Sequence, residues 1–266
     1  MPSGSRKRVE APAREGEESA LFVRSAARAF AVLEAFKSKP RPLSLGELAS
    51  ATGLGKSATQ RLVHTLQRLG YLMRDPENRG YIPGTALLDR SFDALRVNPV
   101  VERATAVLLE LRRNARERVD FSLFDRMTIV YAVRLQSKRE TFNATLVGRR
   151  LPTYCSSGGR AALSRLPETE ARAILEASDR QQLTARTIVD LPEILAKVSE
   201  ARRDGFALAL EEILIGEVVL AAPVLGNDGR PVGAVHIAGS LSEWRVEDFR
   251  ARFAPLATEA ARAIGP

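Results

Sequence analysis

The sequence predicts an α+β protein in which an N-terminal winged helix-turn-helix is joined by a linker helix to a larger domain of strands and helices. Three observations support this fold class. Three segments with helical periodicity precede a strand–turn–strand pattern within the first 83 residues. Beyond residue 118 the apolar residues alternate with period two, as they do in strands. Residues 1–97 hold 16 Lys and Arg against 10 Asp and Glu, while the remaining residues hold 24 against 22.

The composition is typical of a globular protein, with 45% hydrophobic and 27% charged residues. The most apolar stretch, 213–225, is interrupted by Glu217 and Pro223 and is shorter than the roughly 18 residues of a membrane span. We therefore expect no membrane partner. The single cysteine, Cys155, fits a reducing, cytoplasmic location. With two histidines and one cysteine in the chain, neither a structural metal nor a cofactor is expected.

Residues 1–20 are rich in Pro, Gly, Ser, Glu and Arg and are predicted to form a disordered arm without a secretory signal. Residues 21–83 are predicted to form the winged helix-turn-helix. Its first helix covers 23–38, and the residues expected on the core face of that helix are Ala26, Phe30, Leu33 and Phe36. Ser44 and Glu47 form a capping-box pattern at the start of a second, short helix, which Gly53 ends.

A third helix is predicted from about Ser57, opened by a second Ser-x-x-Gln pattern. Its apolar stripe consists of Ala58, Leu62, Leu66 and Leu69. In a helix-turn-helix this helix enters the major groove of DNA, where Gln pairs with adenine and Arg with guanine. The exposed residues expected to contact DNA are Lys56, Ser57, Thr59, Gln60, Arg61 and His64. Ser57 has the alternative role of capping the helix.

Two short strands around the turn 75–80 predict the wing. Arg74 and Arg79 on this wing are expected to meet phosphates or the minor groove, which positions the protein more than it specifies sequence. The alternative for Arg74 is a surface ion pair with Asp75 or Glu77.

Residues 84–98 are predicted to form the linker helix and residues 99–266 the larger domain. The linker carries an apolar seam of Leu87, Leu88, Phe92 and Leu95, which fits either a dimer contact or packing within one subunit. Asn98 and Pro99 predict the start of a long helix that ends near residue 118. Strands are expected at 119–124, 127–135, 206–213, 218–225 and 231–238, and helices at 159–165, 168–177, 191–204 and 246–264.

Three patterns that suggest catalysis are incomplete. Gly55-Lys56-Ser57 lacks the first glycine of a phosphate-binding loop, since Ser50 occupies that position. Cys155 and His236 form no nucleophile–base set without an orienting third residue. Residues 154–159 lack the Gly-x-Ser-x-Gly spacing of a hydrolase. We therefore do not expect an enzyme.

Several segments in order resemble the IclR family of transcriptional regulators, from about Phe22 to Ala263. The segments are 23–29, resembling the family's opening helix; 48–72, its helix-turn-helix; 148–161, its effector loop; and 205–207, 211–212, 221–224 and 228–234, its C-terminal signature. The resemblance implies a GAF-like α/β effector-binding domain and control by small organic acids from carbon catabolism. It also implies dimers or dimers of dimers on palindromic, double-stranded DNA operators, with a contact to RNA polymerase if the protein activates transcription.

The resemblance also implies which positions line the ligand pocket. Ala209 and Val219 stand where the family usually has Asp and Cys or Ser, and His236 and Ala238 stand where it often has Ser. The pocket is therefore expected to be less polar than in relatives that bind small polar acids, except at His236. Residues 149–157 look most like the subgroup that responds to aromatic acids such as protocatechuate or 4-hydroxybenzoate, so an aromatic carboxylate is expected.

The ligand is expected to meet the loop before the helix at 159, because the amides at a helix start attract carboxylates. The candidate contacts are Thr153, Tyr154, Ser156, Ser157, Gly158 and Glu212, together with the four positions above. For the two serines the alternative is helix capping, and for His236 it is a buried core residue. Two other functions stay open: an acid-metabolising enzyme fused to a DNA-binding module, and a constitutive DNA binder whose larger domain is only an oligomerisation scaffold.

Overall fold

A computed structural model describes residues 21–37, 39–136 and 146–266. The described residues divide into two compact units, with the boundary between Arg90 and Ser91. The α+β fold class is confirmed, since a helical N-terminal unit is followed by a unit built on an antiparallel sheet. The predicted disordered arm, residues 1–20, lies outside the described residues. Among the described residues, no helix combines the length and the hydrophobicity that a bilayer crossing requires.

The first unit is a three-helix structure with a two-stranded wing. Its elements are α1 (Arg24–Glu34), α2 (Leu45–Thr52), α3 (Lys56–Arg68), β1 (Leu72–Arg74) and β2 (Tyr81–Pro83). The capping box is confirmed: the Ser44 hydroxyl accepts from the Glu47 amide at 3.2 Å, and Glu47 accepts from the Ser44 amide at 2.9 Å. Gly53 ends α2 with φ 66°, a left-handed conformation that favours glycine.

Two helix faces differ from the prediction. In α1, Phe30 is 66% exposed and the buried residue is Val32, one position outside the predicted stripe. In α3, the buried residues are Thr59, Val63 and Leu66, so the prediction that Ala58 and Leu69 face the core was wrong. Burial of Thr59 is compatible with its hydroxyl because Oγ1 donates to the Gly55 carbonyl at 3.1 Å.

The predicted cap of α3 was also wrong. The helix begins at Lys56, and Gly55 is the N-cap, with no side-chain capping bond. Ser57 therefore lies inside the first turn with its side chain exposed. Its capping role is excluded, and its hydroxyl faces solvent.

The linker and the first long helix follow. Helix α4 covers Ala86–Arg96 and buries none of its residues, with Leu88 69% and Phe92 63% exposed. Helix α5 covers Pro99–Ala115. As predicted, Asn98 caps α5, because its side-chain oxygen accepts from the amide of Val100 at 3.0 Å.

The second unit is built on a six-stranded antiparallel sheet of order β5-β4-β3-β8-β7-β6. Its strands are β3 (Arg118–Asp125), β4 (Thr128–Leu135), β5 (Arg150–Pro152), β6 (Ala207–Leu210), β7 (Glu217–Leu225) and β8 (Pro231–Ser240). The helices beside it are α6 (Ser157–Leu163), α7 (Glu168–Glu176), α8 (Leu191–Asp204) and α9 (Val246–Ile264). The prediction missed the short edge strand β5, which lies in a segment interpreted as loop.

Alternation along the strands gives the sheet two different faces. Phe121 and Ile237 point to the face covered by α5 and α9, where they join a core that includes Phe249 and Phe253. The opposite face is covered by α6, which is buried along its whole length. Gly158 permits this close approach, because a Cβ there would lie 2.2 Å from Cε1 of His236.

Candidate functional site

The exposed side of α3 is formed by residues that we call the recognition face: Lys56, Ser57, Gln60, Arg61 and His64. Within the described residues, none of these five side chains is engaged in a hydrogen bond or an ion pair. Their donors and acceptors are therefore available to an external partner. Thr59 is the exception among the predicted contacts: it is fully buried and cannot reach DNA without unfolding its helix turn.

The wing arginines are held by their own unit. Nε of Arg79 lies 2.9 Å from Asp75 and 3.3 Å from Glu77. Hydrogen bonds from Arg79 hold the pKa of Asp75 below its usual value. The guanidinium of Arg74 stacks 4.3 Å from the ring centroid of Tyr81. The ion pair considered for Arg74 is thus made by Arg79, whose side chain stays 58% exposed and accessible to a phosphate.

The second unit contains a cavity of about 290 Å³, here called the central cavity. It lies among β3, β4, β5, the start of α6 and the segment 209–219. Its lining is formed by Arg118, Tyr131, Arg134, Arg149, Leu151, Ser156, Ser157, Ala209, Glu211, Glu212, Ile213, Leu214, Glu217 and Val219. Five predicted ligand positions are among these residues: Ser156, Ser157, Ala209, Glu212 and Val219.

Three predicted positions serve the framework instead of lining this cavity. The Thr153 hydroxyl donates to the Met127 carbonyl at 3.1 Å. The Tyr154 hydroxyl donates to the Gln181 carbonyl at 2.5 Å, and burial raises the pKa of this phenol to about 12. Gly158 is packed against His236. The side chains of Thr153 and Tyr154 therefore form hydrogen bonds within the unit, and Gly158 packs against strand β8.

His236 and Ala238 are buried in β8 and do not line the central cavity. Nε2 of His236 lies 2.8 Å from the Ser122 hydroxyl, and the Tyr131 ring packs 5.2 Å away between centroids. Burial, with a contribution from Arg134 and Arg118, lowers the pKa of His236 to about 3, so the ring is neutral. The geometry favours the core alternative for this histidine.

Ser156 is the N-cap of α6, which was the alternative to a ligand contact. Its hydroxyl accepts from the Gly159 amide at 3.2 Å and donates to the Pro152 carbonyl at 2.6 Å. Ser157 lies in the first turn of α6 and contributes to the cavity wall.

The wall of the central cavity carries three arginines and three glutamates. Much of this charge is paired in a buried network. The carboxylate of Asp120 forms ion pairs with the guanidinium groups of Arg118 and Arg134, each at 3.1 Å. Arg118 also forms an ion pair with Glu217 at 2.8 Å. Arg134 stacks 4.0 Å from the Tyr131 ring centroid. Burial and nearby Asp120 raise the pKa of the Tyr131 phenol, which stays a hydrogen-bond donor.

A second buried pair closes another side of the cavity. Arg160 contacts Glu212 at 2.5 and 2.8 Å, and both side chains are nearly inaccessible to solvent. Glu212 also accepts from the Ile188 amide at 3.1 Å. The pair therefore ties α6 to two separate chain segments.

Arg149 differs from the other cavity arginines. It is exposed, and within the described residues its guanidinium makes no hydrogen bond or ion pair. An unpaired cation in a wall whose other arginines are neutralised favours an anionic ligand. Sequence reasoning missed Arg118, Tyr131, Arg134 and Arg149 as cavity residues; the only signal was alternation placing Arg118 and Asp120 on one strand face.

The single thiol of the chain, Cys155, is free and buried. Burial and Glu212 raise the pKa of the Cys155 thiol to about 12, so it stays protonated and unreactive at neutral pH. Across the described part of the chain, no group of three His, Cys, Asp or Glu side chains is arranged to hold a metal ion.

Comparison with known proteins gives two family matches. Residues 25–76 match the IclR helix-turn-helix domain, and residues 92–265 match the model described as bacterial transcriptional regulator IclR C-terminal. Together they cover most of the chain.

Individual relatives agree with the family matches. The Pca regulon regulatory protein of Pseudomonas putida is 26% identical over 91% of this chain and 82% of its own. The HTH-type transcriptional regulator XynR of Escherichia coli is 27% identical over 92% and 98%. The crystal structure of an IclR family transcriptional regulator from Brucella abortus is 28% identical, covers 95% of each chain and superposes with a TM-score of 0.78.

Proposed function

The chain belongs to the IclR family of bacterial transcriptional regulators, and from this premise we propose that it controls a catabolic operon in response to a small carboxylic acid. It binds a palindromic operator as a homo-oligomer, and the acid changes its affinity for DNA or its activity there. The proposal rests on two observations made within the described residues: the side chains of the recognition face are unengaged, and the wall of the central cavity contains Arg149 without an ion-pair partner.

In this proposal the recognition face enters the major groove of the operator. Helix α3 presents Gln60 and Arg61 side by side, and neither has a partner among the residues that the structure describes, so both can form two-pronged contacts with base edges. Lys56 and the wing arginines Arg74 and Arg79 add contacts to phosphates, which fix the position of the protein on the duplex.

A palindromic operator requires two copies of the recognition helix. Self-association is supported by large apolar side chains that the chain leaves exposed on two helices. They are Phe30 on α1 and Leu88 and Phe92 on α4, each more than 60% exposed. Large apolar side chains that are exposed in this way are typical of protein interfaces. We propose that a second copy covers it in a homodimer, with a dimer of dimers as the larger assembly.

The proposed effector is an aromatic carboxylic acid that occupies the central cavity. Arg149 binds the carboxylate, helped by the Ser157 hydroxyl. Leu151, Ile213 and Val219 supply apolar contacts for a ring, and a glutamate of the wall accepts a hydrogen bond from a ring hydroxyl. One relative is named as the regulator of the Pca regulon.

Ligand binding acts by shifting a population. An acid that binds one dimer arrangement more tightly stabilises that arrangement and changes the spacing of the two recognition helices. Helix α4 is the segment proposed to transmit the change. A cavity of about 290 Å³ that is not filled by its own side chains counts against the scaffold alternative, which needs no ligand space.

The test measures both halves of the proposal with the full chain. Calorimetric titration with benzoates, hydroxybenzoates, short aliphatic acids and sugar acids identifies the effector class, and fluorescence anisotropy with an operator found by selection measures DNA binding. We expect Arg149→Gln to weaken effector binding about tenfold or more while DNA affinity without effector is unchanged, because a bond to a charged group contributes roughly 1.5–3 kcal/mol. The matched control is Arg150→Gln, whose guanidinium is already paired with Asp125.

Each result has a definite meaning. Binding of aliphatic acids alone contradicts the aromatic class but leaves the carboxylate sensor in place. Absence of binding by every acid, with operator binding intact, establishes the scaffold alternative. Product formation from an added acid establishes the enzyme alternative.

A further inference from the structure

Tyr131 is a buried residue of the central cavity whose phenol hydroxyl is not used by the described part of the chain. The side chain lines the cavity and is 4% exposed, and its oxygen forms no hydrogen bond within the described residues. The backbone of Tyr131 is bonded on both sides: its amide donates to the Arg149 carbonyl at 3.0 Å, and its carbonyl accepts from the Gly148 amide at 2.7 Å. A buried hydroxyl without a partner has lost its hydrogen bonds to water, so a cavity ligand that accepts from it recovers that loss.

The Tyr131 hydroxyl borders the cavity and is not enclosed in the core. The ring is held by its neighbours, since the guanidinium of Arg134 stacks 4.0 Å from its centroid and the His236 ring packs 5.2 Å away between centroids. The phenol oxygen is not one of the fully enclosed side-chain atoms that lack a partner in the described residues. The ring is therefore fixed by packing, and its oxygen is presented to the space that the side chain lines.

The buried charges around Tyr131 balance each other. Arg118 and Arg134 each lie 3.1 Å from Asp120. Arg118 also lies 2.8 Å from Glu217. These four side chains carry two positive and two negative charges, and all four act electrostatically on the phenol. A charged group of a ligand would meet no surplus counter-charge from these four side chains, whereas a neutral polar group requires none.

Arg149 belongs to the exposed part of the same cavity wall. Its guanidinium is unpaired within the described residues, so it is the position for the carboxylate of a ligand. The bond between the Tyr131 amide and the Arg149 carbonyl makes the two residues neighbours on adjacent segments, one side chain buried and the other exposed. A ligand whose carboxylate contacts Arg149 can therefore extend its uncharged end to the buried hydroxyl.

We propose that the effector is a hydroxylated carboxylic acid and that Tyr131 selects for its hydroxyl group. This inference rests on the proposed function, in which a carboxylic acid occupies the central cavity. Tyr131 donates to the hydroxyl oxygen of the acid. Glu217 accepts the hydroxyl proton in a hydrogen bond, because its contact with Arg118 uses only part of the acceptor capacity of a carboxylate. An acid without the hydroxyl leaves the Tyr131 donor unsatisfied and binds more weakly.

The test is calorimetric titration of the full chain with acids that differ only in one hydroxyl group. The probes are benzoate with 3- and 4-hydroxybenzoate, and phenylacetate with 4-hydroxyphenylacetate. We expect the wild type to bind a hydroxylated acid about tenfold more tightly than its unsubstituted partner. Tyr131→Phe lowers the affinity for the hydroxylated acid about tenfold and leaves the affinity for the unsubstituted acid unchanged. Because the hydroxyl has no partner within the described residues, urea denaturation should show unchanged stability.

Two variants serve as matched controls. Tyr154→Phe removes a phenol of the same unit whose hydroxyl donates to the Gln181 carbonyl, and it should change neither affinity. Arg149→Gln should weaken both members of a pair by the same factor, since both carry the carboxylate.

The outcomes separate this inference from the proposed function. Equal weakening of both members of a pair by Tyr131→Phe places the phenol on the carboxylate and overturns the selection for a hydroxyl. Equal binding of both members by the wild type overturns it as well, and in either case the carboxylate sensor stands. Binding of none of these acids, nor of any other carboxylic acid, overturns the proposed function and this inference together.

Discussion

The recognition face and the central cavity differ in how their polar groups are engaged. The recognition face comes from one nine-residue segment, 56–64, and its polar groups are unengaged within the described residues. The central cavity draws on segments from residue 118 to residue 219, and most of its charges are paired with side chains of the same unit. Polar groups on a solvated helix need no partners, whereas charges in a buried wall must be compensated. An arginine of the recognition face is therefore exposed to solvent, whereas most arginines of the cavity wall are held in ion pairs.

The strongest test of this contrast removes a paired cavity arginine. Arg160→Met leaves Glu212 as a buried carboxylate without its cation, and we expect the free energy of unfolding to fall by about 3–5 kcal/mol. Urea denaturation of the second unit, followed by circular dichroism, measures the loss. The double variant Arg160→Met with Glu212→Leu should recover most of it. A single variant as stable as the wild type would show that the pair is not tightly buried in solution.

An arginine of the recognition face should behave in the opposite way. Arg61→Ala is expected to weaken operator binding by about 1–3 kcal/mol, since it removes a base or phosphate contact. Its unfolding free energy should stay within about 0.5 kcal/mol of the wild type, as for other exposed positions. Anisotropy titration and urea denaturation on the same preparation provide both numbers. A large stability loss with intact DNA binding would reverse the assigned roles.

Lowering the pH tests the burial of His236. The pKa of His236 falls from 6.5 to about 3 on folding, so the unfolded chain binds a proton that the native chain does not. The contribution of His236 to the free energy of unfolding is complete above pH 6.5. It declines as the pH falls towards 3, by roughly 1 kcal/mol per pH unit.

The variant His236→Gln lacks this titration and keeps a hydrogen-bonding group for Ser122. The stability difference between wild type and variant should therefore shrink between pH 7 and pH 5, a slope that urea denaturation at several pH values measures. His64→Gln, altered on the recognition face, is the matched control. Parallel pH profiles for wild type and His236→Gln would contradict burial of a neutral ring.

The smallest expected effect lies at Thr59, which the sequence pattern groups with the DNA contacts and the structure buries. Thr59→Val retains the shape of the side chain and removes the hydroxyl bond to Gly55. Operator affinity should stay within about twofold, with a loss of roughly 1 kcal/mol in stability. The comparison on the same helix is Ser57→Ala, because Ser57 lies two residues before Thr59 and is exposed. A tenfold loss of DNA binding in Thr59→Val alone would restore Thr59 to the recognition face.

The sequence by itself determined most of the elements and several of their ends. Helices α8 and α9 have the predicted bounds, and Ser44 with Glu47, Gly53 and Asn98 cap their helices as expected. Periodicity and capping are local: they depend on residues within one or two turns, which the sequence displays directly. The family resemblance is also confirmed. It was carried by short contiguous segments, which the sequence likewise displays directly.

Only the tertiary structure decided which faces are buried and which charges line the central cavity. Val32, and not Phe30, lies in the core, because the packing of the neighbouring helices determines which side of α1 is covered. Arg118 and Arg134 became cavity residues through the pairing of β3 with β4, which brings both to Asp120. Burial and charge compensation depend on partners distant in sequence, and single-sequence periodicity holds no information about them.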